Sequence, residues 1–186
     1  MSFNTWILNQ KRLEILRETF PKIRRVAVLG NASSSSNLNQ WEQLKTLGGG
    51  LGLDLLPTMV SDFGESAAFE MIVGNGAEAL TVLPDATFDT ARERIVALAA
   101  THNLITMYEH RAFVGAGGLM SYGPNLDRIS YRAAAFVNNI LKGAQPADLP
   151  VEQPTALELL IDLKVAKALS ISMPDAMLGR ADEVIE

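Results

Sequence analysis

Polar side chains able to hold a small charged molecule follow four apolar segments of the sequence. The four loops are residues 31–36, 61–64, 84–88 and 108–111. If the apolar segments are parallel strands, their carboxyl ends meet at one edge of a sheet, where open α/β sheets bind ligands. The sequence therefore predicts that these loops form one site.

The first and third loops carry the compact polar groups of this candidate site. Asn31, Ser33 and Ser34 offer donors and acceptors for a carboxylate or an amine, and the alternative is a solvated loop whose serines cap the next helix. Asp85 suits a ligand ammonium, and Thr87 is grouped with it as a ligand-binding residue. Both are equally candidates for N-caps of the following helix.

Two tyrosines are predicted to wall the site, because a tyrosine combines a flat apolar face with one polar group. Tyr108 ends the fourth apolar segment, where it suits a core position equally well, and Tyr122 lies in a glycine-flanked segment further on. Walls of this kind fit an apolar or aromatic ligand.

Catalytic, metal and cofactor chemistry are not predicted. The chain has no cysteine and two histidines, too few for a three-histidine metal site. His110 near Glu109 and Asp85 suggests acid–base chemistry, but no nucleophile stands in a G-x-S-x-G turn. The glycines of residues 48–52 precede a strand, whereas nucleotide-binding glycines follow one.

The elements that would position these loops alternate in type. Short apolar segments predict strands, and amphipathic or capped segments between them predict helices. The predicted strands are 25–30, 53–60, 78–83 and 104–108, and the predicted helices are 11–20, 39–47, 65–73 and 85–100. This alternation predicts an α/β fold with a doubly wound parallel sheet.

The pattern changes after Gly115. Residues 117–124 are extended and too polar for a central strand, and a long helix is predicted over 127–141, followed by a proline-rich connector. Residues 156–163 fit a strand or a helix, and 166–169 and 174–186 predict terminal helices. The long helix carries one apolar stripe: Ile129, Ala133, Phe136, Val137, Ile140 and Leu141.

Composition excludes several classes of protein. The 186 residues suit one domain or a large and a small lobe, and the net charge of -5 predicts no nucleic-acid partner. No apolar segment is long enough to predict a membrane span, and the first ten residues do not form a secretory signal. As written, the chain is therefore predicted to be cytoplasmic.

Longer motifs carry a family resemblance over nearly the whole chain. The sequence resembles the C-terminal part of ABC-transporter substrate-binding proteins, in the family that includes tryptophan- and tyrosine-binding members. The motifs are KRLEILRETFPKIRRVAVLGN (11–31), RERIVALAATHNL (92–104), AFVGAGGLMSYGPN (112–125), YRAAAFVNNILKGAQPADLPVEQPT (131–155) and LKVAKALSISMPDAMLGRADEVIE (163–186). Asp85 fits an aspartate that the family places after its third strand of this lobe.

The resemblance implies one lobe of a type I periplasmic-binding-protein-like fold plus return segments. Residues 1–117 would form the α/β lobe, 118–155 a crossover strand, helix and connector of a first lobe, and 156–186 a return segment packed on the α/β lobe. Family members are longer, with a signal peptide and a complete first lobe. The chain is therefore expected to be a truncated member.

The expected function is binding of a small solute, such as an amino acid or an aromatic or apolar carboxylate, without chemistry. In the full-length family an ABC permease is the partner, and the location is periplasmic or lipid-anchored outside the cytoplasm. An α/β enzyme and an effector-sensing domain are the alternatives, because fold does not fix function. An apolar helix 127–141 left without a first lobe also predicts a homodimer through that helix.

Overall fold

The computed structural model describes residues 5–61, 66–149 and 157–186. Helices and strands alternate through most of the chain, as the sequence predicts. The helices are α1 (Thr5–Thr19), α2 (Ser35–Leu51), α3 (Ser66–Gly74), α4 (Ala86–Thr90), α5 (Arg92–Thr101), α6 (Arg111–Gly115), α7 (Leu126–Leu141), α8 (Leu163–Ala168) and α9 (Asp175–Leu178), with a 3-10 turn at Pro146–Asp148. The strands are β1 (Arg25–Asn31), β2 (Asp54–Val60), β3 (Ala79–Val82), β4 (Ile105–Tyr108), β5 (Met120–Pro124), β6 (Leu157–Asp162) and β7 (Glu183–Ile185).

Within the described residues the strands form one sheet in the order β2-β1-β3-β4-β5-β6-β7. The first five strands run parallel, β6 pairs antiparallel with β5, and β7 pairs parallel with β6. The predicted doubly wound α/β sheet is therefore confirmed, and the open choice for residues 156–163 is resolved as a strand over Leu157–Asp162.

Helices cover both faces of the sheet because the strands bury side chains on both. Val26 and Val28 of β1 pack into a cluster with α1, α2, α8 and α9. Ala27 and Leu29, which alternate with them, pack into a second cluster with α3, α4, α5 and α6. Burial on both faces explains why residues 26–30 of β1 are continuously apolar instead of alternating with polar residues.

The glycines that follow the predicted helix 39–47 lie inside the observed helix. The helix α2 continues through Gly48–Gly50 to Leu51 and is capped by Gly52, which has a φ of 65° in the left-handed region. Gly48 is buried against β2, where a Cβ atom would lie 2.8 Å from Leu55 Cγ. A glycine inside this helix is therefore explained by the close approach of α2 to the sheet.

The expectation that residues 117–124 are too polar for a central strand is wrong. Met120–Pro124 forms β5 between β4 and β6, with Met120 and Ser121 buried. Gly123 permits this position, because a Cβ atom there would lie 1.8 Å from the backbone oxygen of Glu109. The small size of Gly123, where β5 passes the backbone of Glu109, allows this strand to lie inside the sheet although its sequence is not strongly apolar.

The predicted terminal helix over 174–186 is wrong in its second half. A short helix covers Asp175–Leu178, and the chain then forms β7 beside β6. The side chain of Asp182 accepts a hydrogen bond from the backbone N–H of Leu159 at 2.8 Å. This contact between residues far apart in sequence holds the last residues of the chain beside β6.

The helix α7 stands apart from both core clusters. None of its residues is buried, and its large apolar side chains include Tyr131 and Leu141, which are 81% and 82% exposed. Asn125 caps it by accepting a hydrogen bond from the backbone N–H of Arg128 at 2.8 Å. No helix among the described residues is long and apolar enough to span a membrane.

Candidate functional site

The carboxyl ends of β1 and β3 bring two of the predicted loops together. These strands are neighbours in the sheet, with Leu29 opposite Val82. The backbone N–H of Leu83 donates to the oxygen of Leu29 at 2.9 Å, so the pairing extends to the end of both strands. Residues 31–36 and 84–88 therefore lie side by side at this edge of the sheet.

Asn31 and Asp85 connect the two loops directly. The amide nitrogen of Asn31 donates to Asp85 Oδ2 at 3.2 Å and to Thr87 Oγ1 at 3.3 Å. Asp85 also accepts from the backbone N–H of Thr87 at 3.0 Å and from its hydroxyl, and so caps α4. Asp85 thus occupies the predicted site and forms the N-cap that was its alternative.

Hydrogen bonds keep the Asp85 carboxyl ionised. Partial burial alone would raise its pKa, but hydrogen bonds from the Thr87 hydroxyl and N–H, from Asn31 and from Ser34 together hold the pKa below the usual value of 3.8. The edge of the sheet therefore presents a fixed negative charge at neutral pH.

Asn37, which was not among the predicted site residues, holds the loop of residues 31–36 in place. The buried Asn37 side chain accepts from the backbone N–H of Asn31 at 2.9 Å and donates to the oxygen of Pro84 at 2.9 Å. Ser34 caps α2 by accepting from the backbone N–H of Asn37, and the N–H of Ser33 donates to Asn31 Oδ1. Asn37 lies in the first turn of α2, which begins four residues before the predicted helix 39–47, so the sequence did not indicate this role.

A second polar group is formed by Asp89 of α4 and by Glu109 and His110, which directly follow β4. His110 Nε2 lies 2.8 Å from Asp89 Oδ1 and 3.8 Å from Glu109 Oε1. His110 was predicted near Glu109 and Asp85, whereas its ring lies against Asp89, which was not among the predicted site residues. Asp85 caps α4, and Asp89 lies one helical turn further along the same helix. This spacing was the sequence signal that the two carboxylates share one face of α4.

Glu109 is an acid with a perturbed pKa in this group. Burial raises its pKa from 4.5 to about 7, an effect that the positive charge of Arg12 opposes and the negative charges of Asp89 and Asp85 reinforce. The Arg12 guanidinium is buried below it and donates from Nε to the oxygen of Tyr122 at 2.7 Å. The site is therefore rich in acids whose charge is only partly balanced within the protein.

The donor atoms of Asp89, Glu109 and His110 lie within 4.8 Å of one another, close enough to meet at one cation. A metal-bound histidine normally donates its other ring N–H to a carboxylate or carbonyl. His110 Nδ1 is buried without a hydrogen-bond partner among the described residues. The geometry therefore favours a hydrogen-bonded histidine and acid pair over metal ligation.

The two predicted tyrosines lie on opposite faces of the sheet. Tyr122 is half-buried on the face of α1 and α2, where it lines a cavity of about 450 Å³ with Leu8 and Lys11 of α1. Tyr108 is fully buried on the other face, and its ring stacks on Phe113 with centroids 4.7 Å apart. Hydrogen bonds thus group Asn31, Ser33, Ser34, Asp85 and Thr87, and neither tyrosine side chain takes part in them.

Comparison with known proteins gives one family and several structural relatives. A family model described as ABC transporter substrate binding protein matches residues 3–185. A tyrosine-binding protein of Clostridioides difficile is 22% identical over 162 residues, which cover 87% of this chain and 47% of that protein. The chain therefore spans about half the length of the curated relative that it matches.

The solved structures that resemble the chain share its fold. An ABC domain from Streptococcus pneumonia in complex with L-Trp is 23% identical with a TM-score of 0.80, covering 96% of this chain and 62% of that one. A conserved domain protein from Vibrio cholerae is 23% identical with a TM-score of 0.81, covering 94% and 59%. A ligand-free, open substrate-binding protein from Clostridium difficile is 21% identical with a TM-score of 0.70, covering 94% and 59%. The predicted periplasmic-binding-protein-like α/β fold is confirmed.

Proposed function

Because the chain belongs to the ABC transporter substrate-binding protein family, we propose that it binds a small amino-acid-like solute at the carboxyl edge of its sheet. The observation that carries the proposal is the hydrogen-bonded group of Asn31, Asp85 and Thr87, which joins two neighbouring strands at that edge. Relatives named for tyrosine binding or solved with L-Trp support an aromatic amino acid as the solute.

The charges at this edge suit the two ends of such a solute. The acids Asp85, Asp89 and Glu109 would attract its ammonium group. Its carboxylate would lie near Ser33 and Ser34, beside the N-terminus of the 17-residue helix α2, where backbone N–H groups and the helix dipole favour negative charge.

The predicted aromatic walls differ in how well they fit this solute. Tyr122 is half-exposed beside the cavity on the α1 side and suits contact with an aromatic ring. Tyr108, the remaining predicted site residue, is completely buried and could support the site only from within the core.

We further propose that the solute is bound without chemical change and handed to an ABC permease outside the cytoplasm. The division into a lobe (1–117), a crossover segment (118–155) and a return segment (156–186) is part of this proposal. In such a two-lobed protein the described edge would supply one side of the solute cleft. Binding by this chain alone is then expected to be weak, because affinity depends on contacts from both sides.

Replacing Asp85 by asparagine is expected to weaken L-tryptophan binding about ten- to hundredfold, because an ion-to-amide change removes a charge-assisted hydrogen bond of about 1.5–3 kcal/mol. Indole-3-propionate, which has no ammonium group, should bind both proteins equally. Calorimetric titration with the two ligands measures the difference.

The matched control is Asp54→Asn, because Asp54 is an exposed aspartate at the opposite end of the sheet, 3.7 Å from Arg25. It should bind both ligands as the unmodified chain does. Equal loss of indole-3-propionate in Asp85→Asn would show that Asp85 only caps α4. Failure of either ligand to bind any form would contradict the proposed function itself.

We also propose that α7 joins two copies of the chain. Leu126, Ile129, Ala133, Phe136 and Ile140 recur at three- and four-residue spacing, the seam on which two helices pack. Burying one large apolar side chain contributes roughly 1.5–3 kcal/mol, so an uncovered stripe strongly favours association. The alternative, in which the helix folds back onto its own lobe, does not fit its lack of any buried residue.

Light scattering coupled to size exclusion is expected to give twice the monomer mass of 20.1 kDa at micromolar concentration. Phe136→Asp should shift the mass to that of the monomer, because a charge within the seam would lose its solvation. Asn138→Asp, on the opposite side of the same helix, is the control and should leave the mass unchanged. A monomer before any substitution would contradict the proposed dimer.

A further inference from the structure

A second pocket lies at the end of the sheet opposite the polar edge, which is the edge formed by the carboxyl ends of the parallel strands at Asn31 and Asp85. It has a volume of about 270 Å³ and opens between α5 and α8. Leu104 and Gly117, which line it, precede β4 and β5, and Lys164 follows the antiparallel strand β6. These positions place the pocket at the amino-terminal ends of the parallel strands, away from Asn31 and Asp85.

The walls of this pocket are mainly apolar and its size suits one small molecule. Val96 and Ala99 of α5 form one side, and Val165 and Leu169 form the other. An apolar cavity of roughly 150 Å³ in another protein is large enough to take benzene. A pocket of about 270 Å³ therefore has room for a substituted aromatic ring.

The floor of the pocket carries a hydroxyl that the protein leaves unsatisfied. Tyr108 is one of the lining residues, and its buried hydroxyl forms no hydrogen bond of acceptable geometry with the described residues, although the Thr106 side chain lies close enough to lower its pKa by hydrogen bonding. The neighbouring Thr106 hydroxyl accepts the backbone N–H of Leu119 at 3.0 Å. Burial raises the pKa of Tyr108, and Thr106 offsets only part of that effect.

A phenylalanine at this position would pack on Phe113 as the tyrosine ring does, without the cost of burying a polar group. The tyrosine hydroxyl is therefore explained if an oxygen atom enters the pocket and accepts its hydrogen bond. A tyrosine phenol is protonated at neutral pH, and burial raises the pKa of Tyr108 further, so its hydroxyl is in the form that donates.

The mouth of the pocket carries positive charge. Lys164 is the charged residue among those that line it, and its side chain is exposed. Its backbone N–H is bonded to Asp162, but its ammonium group forms no ion pair with the described residues. An anionic group at the mouth would therefore find a free cation.

We propose that this pocket is a second binding site, which takes a small aromatic carboxylate carrying another oxygen at the far end of its ring. The carboxylate faces Lys164, the ring packs between α5 and α8, and the far oxygen accepts the hydrogen bond of Tyr108. The site is separate from the solute site and does not rest on its assignment.

The probe is 4-hydroxybenzoate, and benzoate is the matched ligand that lacks the second oxygen. Methyl resonances of Val96, Val165 and Leu169 should shift on titration with either ligand in the full chain. Tyr108→Phe should weaken 4-hydroxybenzoate about fivefold, as expected for one lost hydrogen bond, and leave benzoate unchanged. A purely structural role of the hydroxyl would not distinguish the two ligands.

Two surface substitutions complete the test without disturbing the core. Ala168→Phe places a ring in the pocket from an exposed position and should weaken both ligands at least about tenfold. Lys164→Gln should weaken both carboxylates but not 4-hydroxybenzamide. L-Tryptophan binding at the polar edge should be the same in Ala168→Phe and Lys164→Gln as in the unmodified chain, which separates this proposal from the proposed function.

The proposal is overturned if no methyl resonance near the pocket shifts at roughly 10 mM 4-hydroxybenzoate, far above a useful affinity. In that case a water molecule satisfies the Tyr108 hydroxyl. It is equally overturned if Ala168→Phe binds 4-hydroxybenzoate as tightly as the unmodified chain, or if Tyr108→Phe weakens benzoate as much as 4-hydroxybenzoate.

Discussion

Replacing Arg12 by methionine is expected to lower the free energy of unfolding by about 3–5 kcal/mol, the cost of breaking a buried polar network by removing its charged member. The side chain is one of the largest fully buried ones, at 1% exposure. It donates to the oxygen of Tyr122 at 2.7 Å, to Asn9 Oδ1 at 2.5 Å and to the oxygen of Glu109 at 3.5 Å. Methionine fills much of the volume but leaves these acceptors without a donor.

The position of Arg12 explains why the effect should be large. Two of its three contacts join α1 to β5 and to the residue after β4, next to the candidate site, and the third, to Asn9, lies within α1. Burial lowers its pKa to about 10, against the attraction of Glu109 and Tyr122, so it remains charged at neutral pH. A buried cation with well-placed acceptors is stabilising only as a complete set.

Chemical denaturation with urea measures the loss, and Arg180→Met is the matched control. Arg180 forms a 2.7 Å ion pair with Glu18, but both side chains are about half exposed. Exposed pairs contribute at most about 1 kcal/mol, so this substitution should change the unfolding free energy little. A loss in Arg12→Met no larger than in Arg180→Met would contradict the role assigned to Arg12.

The sequence predicts most of the sheet because its strands are local apolar segments. Residues 26–30 of β1 and the four residues of β3 are buried, so their mainly apolar sequences identify them directly. The strand β5 was not predicted to be central, because its place depends on Gly123 meeting the distant backbone of Glu109. The strand β7 was missed for the same reason, since its pairing with β6 is a contact between distant segments.

The candidate site was likewise predicted only where local sequence determines it. The loops after β1 and β3 could be brought together from sequence, because the carboxyl ends of parallel strands share an edge, and Asn31 does meet Asp85. The burial of Tyr108 depends on the ring passing over Gly118, where a Cβ atom would lie 2.5 Å from it. Arg12 was not predicted, because a charged residue on an amphipathic helix is ordinarily assigned to its exposed face.

Replacing Glu109 by glutamine is expected to change the pH dependence of stability. The folded-state pKa of about 7 lies above the usual value of 4.5, so the folded chain binds more protons than the unfolded chain between these values. The stability associated with this group is complete below pH 4.5 and is lost as the pH rises to about 7. Glutamine removes the titration, and at about pH 8 the variant should be more stable by on the order of 3 kcal/mol.

Urea denaturation at several pH values between about 4 and 8 measures this effect, with Glu78→Gln as the control. Backbone N–H groups of Arg24 and Arg25 donate to Glu78 and lower its pKa, so its contribution is lost as the pH falls. Glu78→Gln should therefore reduce stability at neutral pH, the opposite sign to Glu109→Gln. Equal pH profiles for Glu109→Gln and the unmodified chain would contradict the raised pKa of Glu109.

The buried carboxyl of Glu109 connects stability to solute binding, and this last prediction rests on the proposed function. Arg12 attracts Glu109, whereas Asp85 and Asp89 repel it and His110 lies 3.8 Å away, so a bound ammonium group would lower the pKa of Glu109. L-Tryptophan binding should then release a proton near neutral pH, and affinity should increase as the pH rises from about 6 to about 8. Calorimetry in two buffers of different ionisation enthalpy measures the proton. Glu109→Gln should abolish its release, and a proton released equally by that variant would assign the titration to another group.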